Sequence, residues 1–285
     1  MLLLRRTVAA LRAAGHAVRL LAPSGPGGVL VGSGPSEVET LTAFDCPDVA
    51  RWLGGDAAPE LVRALRADAV LAFTDDLEIQ AHLRPLASRL LARSPRPEPG
   101  RHASTWLAEA ARPLDVDPGV APPPLVFDSD ERRAARSAAP TLSPGFLAVH
   151  PGSGARAKNW PPKRFAALAR THAAGRPWLL VVGPADEEAA APLRGVPGCV
   201  PVHRLPLRVL GALLAQAGLF VGNDSGVSHL AAAAGAPTVA LFGPTDPAVW
   251  GPVGPAVETA RSPDGTMEGL GLDVVDAAAR WLRKS

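Results

Sequence analysis

The sequence contains no tyrosine, only two cysteines (Cys46 and Cys199) and few lysines. No phenol is therefore available to any site. Two cysteines cannot build a disulfide scaffold, and they fit a reducing compartment. Together with seven scattered histidines they give no zinc-binding spacing, so no metal site is expected. Neither sign of charge is in excess. The 29 basic and 27 acidic residues leave a net charge of +2, which argues against a nucleic-acid or membrane surface driven by bulk charge. Long apolar runs are also missing, since no window reaches the ~18–20 residues that span a bilayer. The opening Met1-Leu2-Leu3-Leu4-Arg5-Arg6 places apolar residues before basic ones, the reverse of a secretory signal. A soluble, cytoplasmic protein is expected, and peripheral contact with the inner face of the membrane stays compatible with that.

What the chain does have is apolar mass and loop residues. Of its 285 residues 47% are hydrophobic, with 28 glycines and 31 prolines. This suits one large α/β domain or two compact ones. Short apolar runs alternate with Ala-rich helical stretches, the pattern of parallel sheets. In the second half, strands are predicted at Phe146–His150, Trp178–Gly183, Leu219–Gly222 and Thr238–Phe242. Helices are predicted at Pro161–Ala174, Asp186–Arg194, Pro206–Ala217, Ser225–Ala234 and Leu272–Arg283. The first half is less regular. Helices are expected at Thr7–Ala14, Leu77–Ala92 and Ser104–Ala111, and strands at Ala17–Leu21, Glu37–Phe44 and Ala69–Phe73. Asp117–Pro124, with four prolines and a glycine, reads as an interdomain connection. The expected organisation is a first domain over 1–124, a linker over 125–144, a second domain over 145–271 and a terminal helix within 272–285.

Two segments carry chemistry. In Phe220-Val221-Gly222-Asn223-Asp224-Ser225-Gly226-Val227-Ser228-His229-Leu230 a strand ends, a polar turn follows and a helix begins. Free amides and the dipole at a helix start attract anions such as phosphate. Gly226 permits close approach of a ligand, and His229 lies one turn beyond Ser225. Asp224 or Ser225 could equally do no more than cap the helix. The second segment, His150-Pro151-Gly152-Ser153-Gly154-Ala155-Arg156-Ala157-Lys158-Asn159-Trp160-Pro161, is again a strand end, a glycine-rich loop and a helix start. It lacks the Gly-Lys-Ser/Thr of a P-loop and the Gly-x-Gly-x-x-Gly of dinucleotide folds. Asn223 stands where a hydrolase elbow needs glycine. His150 reads as a satisfied strand-end histidine, Asp75-Asp76 as a helix cap, and Gly32-Ser33-Gly34 as a turn.

These residues resemble glycosyltransferase family nine, the ADP-heptose:lipopolysaccharide heptosyltransferases. The likeness rests on Asp224-Ser225-Gly226-x-x-His229-Leu230-Ala231-Ala232 and on Gly235-x-Pro237-x-Val239-Ala240-Leu241-Phe242-Gly243-Pro244-Thr245-Asp246-Pro247. It is extended by His150-Pro151-Gly152-Ser153-Gly154 with Lys158-x-Trp160-Pro161, by Asp186-Glu187-Glu188 and by Leu205-Pro206-Leu207. The resemblance implies a GT-B fold of two Rossmann-like domains with the site in a cleft, the terminal helix packing back toward the first. It implies inverting, metal-independent transfer of a sugar from a nucleotide diphosphate donor to a glycolipid or glycan, with no cofactor and no nucleic acid. Carried over, Ser153, Lys158, Ser225 and Gly226 hold the pyrophosphate, and Gly152 is a further donor-binding residue. Asp186 or Glu187 meets the ribose, Pro206 and Leu207 border the base, and Asp224 and His229 sit by the sugar and phosphates. Lys158 and Asp224 are the catalytic candidates. A transferase with another nucleotide sugar and a non-catalytic nucleotide-sugar-binding protein stand as alternatives.

The sequence departs from the family at its start. The family's first domain opens with a strand and a Gly-x-Gly-Asp-like loop whose aspartate is the expected general base. Here Met1 falls just after that aspartate, and Arg6 replaces a usual proline. The expectation is that the sequence begins too late, so that strands neighbouring the missing one lose a partner.

Overall fold

The computed structural model describes residues 1–184 and 186–282. The chain divides into two compact units at Pro122–Pro123, inside the proline-rich stretch. Among the described residues no helix is long and apolar enough to cross a membrane.

The first unit has two separate parallel ladders. Strand β1 (Arg19–Ala22) pairs with β2 (Thr40–Ala43), and β3 (Ala67–Phe73) pairs with β4 (Ala87–Arg93). Both feed a core around Val49, Trp52, Ala72, Leu83 and Leu86. The helix Arg5–Ala13 packs Ala10 and Leu11 on Ala111 and Val116. The single helix expected over 77–92 is corrected to a helix at Leu77–Leu83, a short turn and strand β4. Pro85 ends the helix because it cannot donate and it restricts the residue before it. Asp76 caps this helix, accepting from the amides of Glu78 and Ile79.

The second unit is one six-stranded parallel sheet. Its strands are β5 (Phe146–His150), β6 (Trp178–Val182), β7 (Cys199–His203), β8 (Ala217–Asn223), β9 (Thr238–Phe242) and β10 (Val257–Arg261), in the order β10-β9-β8-β5-β6-β7. Strands β5, β6 and β9 are buried at every residue. That explains their unbroken apolar runs, because helices cover both faces of a parallel sheet. The edge strands β7 and β10 escape the sequence pattern. Each is short and half exposed, and Pro201 in β7 is tolerated because an edge strand can spare an N–H.

Residues 125–144, expected as a linker, belong to this unit instead. They carry the helix Ser129–Ala138, which opens on a capping box of Asp128 and Glu131. Arg208 donates to Glu131 at 2.7 and 3.0 Å, pinning this helix to Leu207–Leu214. The terminal helix Leu272–Leu282 buries Val275, Ala279 and Leu282 in the core of the second unit. Arg283, where that helix was expected to end, lies outside the described residues.

Candidate functional site

The chain runs outward from β5 to β6 and β7, then jumps to β8 on the other side of β5. In such sheets the loops at the carboxyl ends of the two strands flanking the reversal frame a ligand crevice. Here those loops are the two anion-friendly segments. The register pairs His150 with Gly222, so both loops leave the sheet at the same level.

Asn223, fully buried, ties them together. Its Nδ2 donates to the Pro151 carbonyl at 2.7 Å and more weakly to Gly152 at 3.4 Å. Its Oδ1 accepts from the Trp160 amide at 3.0 Å. One side-chain amide thus closes both ends of the His150–Trp160 loop. Sequence reasoning noted Asn223 only as the residue that spoils a hydrolase elbow. Its signal is a side chain with both donor and acceptor at the buried end of an apolar strand.

Next to it, Asp224 is 8% exposed and joins that same loop to one further loop, the one after β9. Its Oδ2 accepts from Lys158 Nζ at 3.1 Å and from Thr245 Oγ1 at 2.8 Å. Lys158 is only partly exposed, so this ion pair is screened less than a surface one. The helix Gly226–Ala233 starts beside it. Ser225 is its N-cap and accepts from the Ser228 amide. The amides of Gly226 and Val227 precede any intrahelical partner. A side chain at Gly226 would meet no protein atom within 4 Å, so open space adjoins the helix start. His229 is half buried one turn further on.

Ser153 is partly exposed and braces its own loop, its Oγ lying 2.7 Å from both the Ala155 carbonyl oxygen and Asn159 Oδ1. Gly152 is needed for a protein neighbour, because a Cβ there would fall inside the Asp186 carboxylate. Asp186 is itself buried and accepts from the Gly183 amide at 2.7 Å. The structure therefore places Asp186 under the loop. Glu187 is exposed, and its hydrogen bond with Arg194 holds its carboxyl below the usual range. Pro206 and Leu207 are exposed beyond the carboxyl end of β7.

His150 Nδ1 lies 3.2 Å from the Val181 carbonyl, which fixes Nδ1 as the donor. Nε2 is left 3.8 Å from Asp186 Oδ2, beyond hydrogen-bond length. Burial pushes this imidazole below its ordinary 6.5, and Asp186 and Val181 oppose that shift. As pH falls below 6.5, the unfolded chain takes up a proton that the folded ring resists, so stability is lost in that direction. The urea midpoint of the second unit should drop between pH 7.5 and 5.5, and drop less in His150→Asn. Equal slopes for the two proteins would remove His150 from the effect.

Among the described residues no group of three or more histidine, cysteine or acidic side chains is placed to hold a metal.

A parallel sheet with turn-and-helix loops at its reversal is a Rossmann-type unit. Joined to a second α/β unit it defines the GT-B class. A family model described as Glycosyltransferase family 9 (heptosyltransferase) matches residues 71–270, and the chain belongs to that family. It is similar to Lipopolysaccharide heptosyltransferase 3 of Escherichia coli, 35% identical over 112 residues, which are 37% of this chain and 33% of that one. The chain matches between about a third and a half of the length of its curated relatives. Its fold matches a solved glycosyl transferase family 9 structure from Veillonella parvula at TM-score 0.81 and 19% identity, over 99% of this chain and 93% of that one. It also matches E. coli heptosyltransferase WaaC with ADP at TM-score 0.71 and 22% identity, over 99% and 96%.

Proposed function

We propose that the chain is the donor-handling machinery of an inverting glycosyltransferase. It takes a sugar, heptose by family, from an ADP-linked donor toward a lipopolysaccharide or related glycan. The observation that carries this reading is the convergence at the sheet's reversal of Lys158, Asp224 and a capped helix start on adjacent loops. Solved relatives hold ADP and ADP-2-deoxy-2-fluoro heptose. In this reading the loop and helix amides receive the diphosphate, and Lys158 neutralises the charge that builds as it departs. No metal is needed for that step. Asp224 holds the ammonium in place from behind. His229 lies by the sugar and phosphates, Leu207 offers an apolar face to the base, and Glu187 is the acidic candidate exposed enough to meet a ribose hydroxyl.

A thermal-shift panel of nucleoside diphosphates tests the donor site. At a hundredfold excess over Kd a ligand stabilises by about 2.7 kcal/mol, which is roughly 5–10 °C for a unit of this size. ADP should give the largest shift. A larger shift with UDP or GDP would point to another donor, and no shift with any of them would end the reading. ADP release from the sugar donor, with and without glycan acceptor, then separates transfer from binding alone.

A further inference from the structure

Thr245 was quoted in the sequence only as part of a motif, yet its hydroxyl reaches the most connected charge of the site. Its loop follows β9, Asp224 follows β8 and Lys158 follows β5, so residues from three adjacent strands meet at one oxygen, which Asp224 supplies and the other two donate to. The loop that delivers Thr245 is fixed on both sides. A Cβ at Gly243 would collide with the Met267 side chain, so that end lies tight on Met267. On the other side Asp246 accepts from the Ala248 amide at 3.1 Å and pairs with Arg261 on β10 at 3.2 Å. Behind Asp224, its amide donates to the Leu241 carbonyl at 2.9 Å.

We infer that Thr245 is a positioning residue: its hydroxyl fixes the Asp224 carboxylate so that one oxygen stays on Lys158 while the ammonium serves a diphosphate. This rests on the donor-site reading above. An ammonium has three donors and no acceptor. With one held by Asp224, two remain to face the leaving group. Without the threonine hydroxyl the carboxylate turns more freely and competes for the ammonium with both oxygens. The effect falls on the step in which charge develops, because resting binding is shared with the loop amides. Thr245 contributes through Asp224 and touches no substrate itself.

The test compares Thr245→Val, which keeps the shape without the hydroxyl, with Thr245→Ser, which keeps the hydroxyl. Only three lysines occur, Lys158, Lys163 and Lys284, so selective 13C-lysine labelling gives three Cε signals, assigned through Lys158→Arg. In the protein without ligand the Lys158 signal should move in Thr245→Val and return in Thr245→Ser, while the other two stay in place. With the sugar donor, Thr245→Val should lower kcat about tenfold, the scale of a lost hydrogen bond to a charged group, with KM and ADP affinity within about twofold of wild type. Thr245→Ser should recover kcat. An unmoved Lys158 signal in folded Thr245→Val would overturn the inference whatever the activity. So would a loss confined to KM, or a serine variant as poor as valine. A wild-type protein that releases no ADP from any donor would sink the transferase reading alone, since the lysine signal still judges Thr245.

Discussion

Lys158→Ala is expected to weaken ADP binding about tenfold and to lower turnover about a hundredfold, the scale seen when one charge-stabilising donor is removed from a catalytic site. Two losses combine. The departing diphosphate loses its cation, and Asp224 is left with Thr245 as the partner of an oxygen that is mostly buried. A carboxylate so placed repels the very anion the site must hold. Lys158→Arg should restore little, because a planar fork does not replace a compact ammonium with three rotatable donors. Lys163→Ala, an exposed residue at the start of the next helix, should behave as wild type. Isothermal titration with ADP and initial rates with the sugar donor measure both effects. Unchanged values for Lys158→Ala would take Lys158 out of the site.

Asn223→Leu should be the most damaging single change to the architecture of the site. It leaves the Trp160 amide and the Pro151 carbonyl without the partners seen in the structure, in a place water does not reach. Each such orphan costs about 1–3 kcal/mol, so a loss of roughly 3 kcal/mol and a fall of about 6–12 °C in Tm are expected. Asn223→Asp is nearly isosteric but also poor, since it turns a carboxylate oxygen toward two carbonyls. Thermal unfolding read beside ADP titration should show stability and affinity falling together. A leucine variant with wild-type Tm would mean the loop is held by something else.

The parts of the fold legible in the sequence are those where one physical demand dominates. β5 and β9 were bounded correctly because total burial forces an unbroken apolar run. β7 and β10 were missed because an edge strand obeys no such rule, and one of them contains a proline. β4 was read as helix because Ala-Ser-Arg-Leu-Leu-Ala-Arg has helical propensity, and pairing with β3 overrides it. The helix Ser129–Ala138 went unread beside a proline-rich stretch, although Asp128 and Glu131 stand at capping-box spacing. In the site, the glycine loops, Lys158 and Asp224 were visible as types at strand ends. Asn223 and Thr245 were not, because what marks them is the partner each reaches across the sheet, 63 residues away for the Trp160 amide and 21 for Asp224.

The pairing of β5 with β8 also sets when the site can come into being. β5 first acquires β6 as its neighbour, and β8 is made only after β7 and the helix Leu207–Leu214. The loops around His150 and Gly222 therefore meet through a contact distant in sequence, whose chain closure is slow to be rewarded. The crevice between those loops is therefore complete only once β8 is docked against β5.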